Sequence, residues 1–166
     1  ALKKEQIAYL ESESYFYPYI TGKEHLELCS HQNPSFKIDA WNELFQLPLQ
    51  QLTETYSTGM KQKLALLGAL ATGRPLIIMD EPFNGVDLQS SETIYQLIEH
   101  LKQQGHYLLI SSHIMDTLTH TCDQISHLSE GVFQHTYQRD EFSHMQQALR
   151  ASLKRNIQQA LDGLSQ

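Results

Sequence analysis

The chain has 166 residues, 40% of them apolar and 19% charged, a composition that supports a buried core and excludes wholesale disorder. Twelve Lys and Arg against 19 Asp and Glu give a net charge of -7, which argues against a nucleic-acid scaffold, because counterion release needs clustered Lys and Arg. A site for a single nucleotide stays open, since backbone N–H groups and a metal hold phosphates without net positive charge. No apolar run approaches the roughly 18 residues of a bilayer span. The start reads as lacking a secretory signal, and two cysteines, Cys29 and Cys122, fit a reducing compartment better than a disulfide scaffold. The length suggests one domain with a subdomain.

The first element expected is a short strand, Ile7-Ala8-Tyr9-Leu10. The polar segment from Glu11 to Ser14 reads as a loop, and Pro18 disfavours a helix in the aromatic run Tyr15-Phe16-Tyr17-Pro18-Tyr19. Thr21 with Glu24 forms a capping box, predicting a helix through Leu26 and Leu28. Asn33-Pro34-Ser35 breaks the chain. From Asp39 to Leu47, Trp41, Leu44 and Phe45 share one helical face and are read as core, with Pro48 as the stop.

Ser57 is a good N-cap for a helix from Thr58 to Thr72, with Gly73 as its C′ residue. Leu76-Ile77-Ile78-Met79 is a continuous apolar run and reads as a fully buried parallel strand. Ile94, Leu97, Ile98 and Leu101 mark a helix ended by Gly105, and Tyr107-Leu108-Leu109-Ile110 reads as a second buried strand that closes a βαβ unit. A short helix is expected from Ile114 to about Thr121, then a hairpin of 124–128 and 132–137. The Gln-rich tail from Glu141 to Leu164 is expected to be helical.

Chemistry concentrates at a few positions. Asp80 and Glu81 follow a strand of an α/β pattern, where ligands bind in open parallel sheets. A metal ion accounts for one carboxylate and an activated water for the other; otherwise the pair caps the next helix or faces solvent. Ser57, Thr58 and Gly59 open a helix whose free N–H groups suit an anion, though an ordinary N-cap has the same sequence. His113 follows the next strand; beside Asp80 and Glu81 it could donate to a phosphate oxygen, and alone it is a surface histidine. The other eight histidines match no compact ligand set for a structural metal.

Together, Tyr56-Ser57-Thr58-Gly59-Met60-Lys61-Gln62-Lys63-Leu64, then Leu76-Ile77-Ile78-Met79-Asp80-Glu81-Pro82, then Asn84-Gly85-Val86-Asp87, then Ser111-Ser112-His113, resemble the ATP-binding subunit of an ABC transporter. They look like its signature motif, Walker B strand with catalytic glutamate, D-loop and switch histidine. The resemblance implies an α/β fold: a P-loop NTPase-like parallel sheet, lacking the phosphate-loop strand, with an inserted helical subdomain. It assigns 1–137 to a partial ATPase domain, with 13–72 as the helical subdomain and 73–137 as the Walker B, D-loop and switch-histidine half; 138–166 is a C-terminal helical tail.

The roles it implies are specific. Glu81 polarises the attacking water and His113 contacts the γ-phosphate; Asp80 holds Mg²⁺ through water; Ser57, Thr58 and Gly59 bind ATP held mainly by a second subunit; Asp87 faces that subunit. The implied partners are a second nucleotide-binding subunit, identical or different, and a transmembrane transporter subunit. The implied location is cytoplasmic, at the inner face of the membrane.

The chain also departs from the family. It has no G-x-x-x-x-G-K-[ST], so it supplies no phosphate-loop lysine and no hydroxyl for Mg²⁺, and it resembles the C-terminal two-thirds of a subunit. The Q-loop glutamine falls on Ser12, with Glu11 and Glu13 as register alternatives. Thr58 and Met60 stand where glycine and glutamine are commonest in the signature. These departures keep a different class of function open: a degenerate regulatory module that offers Ser57 and Gly59 to a competent partner. A soluble ATPase without a transport role is a third reading.

Overall fold

Three apolar runs form parallel strands: β1 (Ile7–Leu10), β2 (Leu76–Asp80) and β3 (Tyr107–Ser111), in the order β1-β2-β3. They are seen in a computed structural model whose described residues are 4–164. The register aligns Leu10 with Met79 and Met79 with Ile110, so the strands finish at one edge of the sheet. Helices α1 (Gly22–Cys29), α2 (Ile38–Asn42) and α3 (Thr58–Ala71) lie between β1 and β2 in sequence; α4 (Leu88–Gln103) lies between β2 and β3.

The capping box forms as expected. Thr21 Oγ1 accepts the Glu24 N–H at 3.2 Å and Glu24 Oε2 accepts the Thr21 N–H at 2.7 Å. Those bonds hold the Glu24 carboxyl below the usual range. The core sits between the helices and one face of the sheet, with Leu26, Leu64, Leu67, Ile77, Met79, Ile94 and Ile98 all almost fully enclosed. Each such side chain contributes about 1.5–3 kcal/mol of burial free energy.

Two expectations are corrected. The strands β2 and β3 are not buried on both faces. Ala8, Ile77 and Leu108 align on the covered face, while Tyr9, Ile78 and Leu109 align on the other, where Tyr9 is 55% and Leu109 60% exposed. A continuous apolar run promises cover on both sides, and the described residues cover one. The helix expected from Asp39 to Leu47 is also shorter, with Gln46 in left-handed backbone at φ 49°. Asn42 ends it instead, accepting from the Leu47 N–H and donating to the Leu47 carbonyl, each at 3.0 Å. Leu44 is therefore exposed rather than core, while Phe45 is buried and the Trp41 ring stacks on Phe36.

The chain divides into two compact units, the first ending at His113 and the second beginning at Ile114. The second holds α5 (Met115–Thr121), the antiparallel pair β4 (Gln124–Ser129) and β5 (Val132–Gln138), and α6 (Phe142–Leu164). Glu130 and Gly131 both take positive φ, 50° and 75°, as a two-residue hairpin turn requires. Leu118, Ile125, Phe142 and Met145 are its buried apolar residues. Among the described residues no helix is long and apolar enough to cross a membrane.

Candidate functional site

The finishing edge of the sheet gathers the acidic and histidine side chains. Asp80 is the last residue of β2, and its carboxylate accepts the Ser111 hydroxyl at the end of β3. Glu81 then turns into left-handed backbone with φ 51°, its N–H donating to the Ser111 carbonyl at 3.1 Å. The two carboxylates thus take different partners. Glu81 Oε1 accepts the His113 backbone N–H at 2.8 Å and lies 2.8 Å from His113 Nδ1. A ring with its proton on Nδ1 donates to the same oxygen, so one carboxylate oxygen fixes both the loop and the tautomer. Ser12 lies in the loop just beyond β1, at the same edge.

The start of α3 meets the loop that follows Glu81. Ser57 is the N-cap, its Oγ accepting the Met60 N–H at 3.3 Å. The N–H groups of Thr58 and Gly59, in the first turn, have no intrahelical carbonyl to bond. A Cβ on Gly59 would stand 2.7 Å from the Gly85 carbonyl oxygen, and Gly85 itself takes φ 71°. Glycine at both positions permits this close approach. Two further side chains of α3 bond on either side of this loop: Gln62 Nε2 donates to the Glu81 carbonyl at 3.3 Å, and Lys63 Nζ donates to Ser90 Oγ, in the first turn of α4, at 3.2 Å.

Asp87 caps α4. Its Oδ1 accepts the Ser90 N–H at 2.8 Å and its Oδ2 the Ser90 hydroxyl at 2.9 Å, with Lys63 Nζ at 3.9 Å. The helix that follows the two carboxylates is thus capped by Asp87 and not by Asp80 or Glu81. The Ser90 bonds, with the Lys63 charge a smaller contributor, hold the Asp87 carboxyl below its ordinary value of 3.8. A folded-state pKa below the unfolded one stabilises the fold above the unfolded value, and that stabilisation is lost as pH falls through the folded value. The melting temperature is therefore expected to fall less below about pH 4 in Asp87→Asn than in the unmodified chain. Parallel thermal melts of the two across that window read the difference.

Hard oxygen donors at the strand ends suit Mg²⁺, which takes one or two carboxylates and fills its shell with water and phosphate oxygens. Among the described residues no three His, Cys, Asp or Glu side chains converge on one metal position, so Asp80 could hold the ion only as part of such a mixed shell. Away from this edge, His25 Nε2 and Cys29 Sγ are 3.6 Å apart. Burial pushes the imidazole down and the thiol up, which keeps both neutral.

Ser111, Gln62 and Gly85 stand within the motifs read from sequence but received no role of their own there. Gln62 carried a usable signal: it stands on the same stripe of α3 as Leu66 and Ala69, both buried. A polar residue on a core stripe needs a partner.

Comparison with known proteins bears on the family and the fold. Residues 14–118 match the family described as "AAA domain, putative AbiEii toxin, Type IV TA system". An ABC transporter ATP-binding protein of Nostoc sp. (strain PCC 7120) is 30% identical over 77% of this chain and 41% of its own length. The ABC transporter ATP-binding protein YtrB of Bacillus subtilis is 27% identical over 83% of this chain and 49% of its own. A solved ATP-binding subunit of an ABC transporter superposes with a TM-score of 0.76 at 27% identity, over 83% of this chain and 61% of that one. The chain belongs to this AAA-domain family, with the fold of a P-loop NTPase. By its relatives and the superposed subunit, the chain is a partial nucleotide-binding domain of the ABC transporter type. It spans about half the length of the curated relatives it matches.

Proposed function

We propose that this chain is the signature and catalytic-carboxylate part of an ATPase that powers membrane transport. The observation that carries the reading is the Glu81 carboxylate, fixed by the His113 N–H at 2.8 Å beside Asp80 where the parallel strands end. Glu81 is held by one oxygen, and its other oxygen serves to orient and deprotonate the attacking water. His113 contacts the γ-phosphate. Asp80, steadied by the Ser111 hydroxyl, would hold Mg²⁺, and the ion would supply charge neutralisation for the bound phosphates. Phosphoryl transfer needs positioning and charge stabilisation more than covalent chemistry, which suits residues fixed by hydrogen bonds.

The N-terminus of α3 serves a different nucleotide. Ser57, Thr58 and Gly59 present a hydroxyl and first-turn N–H groups to a γ-phosphate whose remaining contacts come from a second nucleotide-binding subunit. Asp87 faces that subunit. Two ATP molecules lie at the interface of a head-to-tail dimer, Ser12 stands at the Q-loop position, and a membrane-spanning partner moves as the dimer closes and reopens. The proposed location is the cytoplasmic face of the membrane.

The 166 residues contain no G-x-x-x-x-G-K-[ST]. This chain by itself is therefore expected to hydrolyse ATP negligibly. Phosphate release by the purified chain, compared with Glu81→Gln, reads this directly. Turnover that the substitution abolishes overturns the expectation of inactivity. Turnover by the whole reading frame's polypeptide supports the ATPase reading. Its absence there, with retained binding to a competent subunit, favours the regulatory module.

A further inference from the structure

Gln62 acts on Glu81, given the reading of Glu81 as the carboxylate that acts on water. Gln62 is 5% exposed, a polar side chain on the buried face of α3. Its amide donates at 3.3 Å to the carbonyl oxygen of Glu81, which also accepts the Asn84 N–H at 3.0 Å. The peptide so held is the one that follows Glu81's left-handed φ of 51°. A residue with a side chain keeps that conformation only where its surroundings over-determine it. The conformation in turn aims Glu81 Oε1 at the His113 N–H. One turn before Gln62, the same helix packs Gly59 against the Gly85 carbonyl.

We propose that Gln62 is a positioning residue that ties the Glu81 peptide to α3. The direction of the Glu81 carboxylate then depends on where the N-terminus of α3 sits. In the proposed dimer α3 faces one nucleotide and Glu81 the other, so Gln62 passes occupancy of one site to the carboxylate of the second. Lys63, the next residue, reaches Ser90 instead and provides a control.

The test uses the complete protein and two substitutions. Gln62→Met keeps the length and removes the N–H donor; Gln62→Asn keeps the amide one methylene short of Glu81. Solvent exchange of the His113 and Asn84 amides is expected to quicken about tenfold in both. The Leu66 and Leu67 amides should keep their protection, and Lys63→Met should leave His113 unchanged. In ATP turnover, kcat should fall about tenfold with KM unchanged, as for an interaction that matters only in the transition state.

Unchanged exchange at His113 and Asn84 in folded Gln62→Met overturns the proposal. So does a raised KM at constant kcat, or loss of Leu66 and Leu67 protection in both Gln62 variants, which makes Gln62 a residue of the fold alone. If Glu81→Gln leaves turnover intact, the reading of Glu81 fails separately, while amide exchange still decides what Gln62 positions.

Discussion

Glu81→Gln in the complete protein is expected to lower kcat for ATP hydrolysis by about 10²–10⁴-fold, the range for removing a general base. The substitution is nearly isosteric. The amide oxygen of Gln can still accept the His113 N–H that Glu81 Oε1 accepts at 2.8 Å, so the loop and the end of β2 stay in place. What disappears is the carboxylate proposed to take a proton from water. Nucleotide KM should change little, because in the proposed assembly binding would use the phosphate loop, the ion and the α3 terminus of the opposing subunit. ATP should then persist at the closed interface and lengthen the life of the dimer. Steady-state phosphate release and size-exclusion chromatography with ATP measure the two effects. A kcat within about twofold of the unmodified enzyme sinks the assignment of Glu81 as the base.

Gly59→Ala is expected to destabilise the fold by about 1–3 kcal/mol, the usual range for overpacking. The sign makes the result informative. At an ordinary helix position the same change stabilises by about 1 kcal/mol, since Ala is the best helix former and Gly among the poorest. Here the new methyl would meet the Gly85 carbonyl oxygen at 2.7 Å, a backbone atom that moves only with the loop 83–87. That loop leads from Glu81 to the Asp87 cap, so the displacement reaches the carboxylates as well. The melting temperature should fall by about 2–4 °C per kcal/mol for a chain of this size. A rise in melting temperature would show that α3 and the loop are not in contact at Gly59.

Local chemistry made much of this structure legible from sequence. Thr21 with Glu24 announced α1, Ser57 announced α3, and Gly73 with φ 65° marked its end. The parallel strands were visible as short apolar runs followed by Asp80 and by Ser111. What sequence could not show was which faces of those runs find cover. Tyr107 and Leu109 read as core by hydrophobicity and stand exposed, because burial depends on a second layer that no run of residues encodes in itself. Leu44 failed for a local reason, a helix ended early where the Asn42 side chain bonds the Leu47 backbone and Gln46 turns left-handed.

The site divides the same way. Asp80, Glu81 and His113 could be named from their positions after strands, and their convergence follows from the parallel register of β2 and β3. The links between them could not. The Ser111 hydroxyl on Asp80 and the Gln62 amide on the Glu81 carbonyl join residues far apart in sequence, through backbone geometry at a left-handed glutamate that no motif spells out.

The proposal is that these residues are the carboxylate and signature part of an ATPase, which requires a phosphate loop that the 166 residues do not contain. Sequencing the gene upstream of the codon for Ala1 tests it most directly. The account predicts a continuous reading frame that carries G-x-x-x-x-G-K-[ST] between a strand and a helix. A start codon immediately before Ala1, with no such loop, would contradict it. Asp80, Glu81 and His113 would then belong to a subunit that borrows its phosphate loop from a partner.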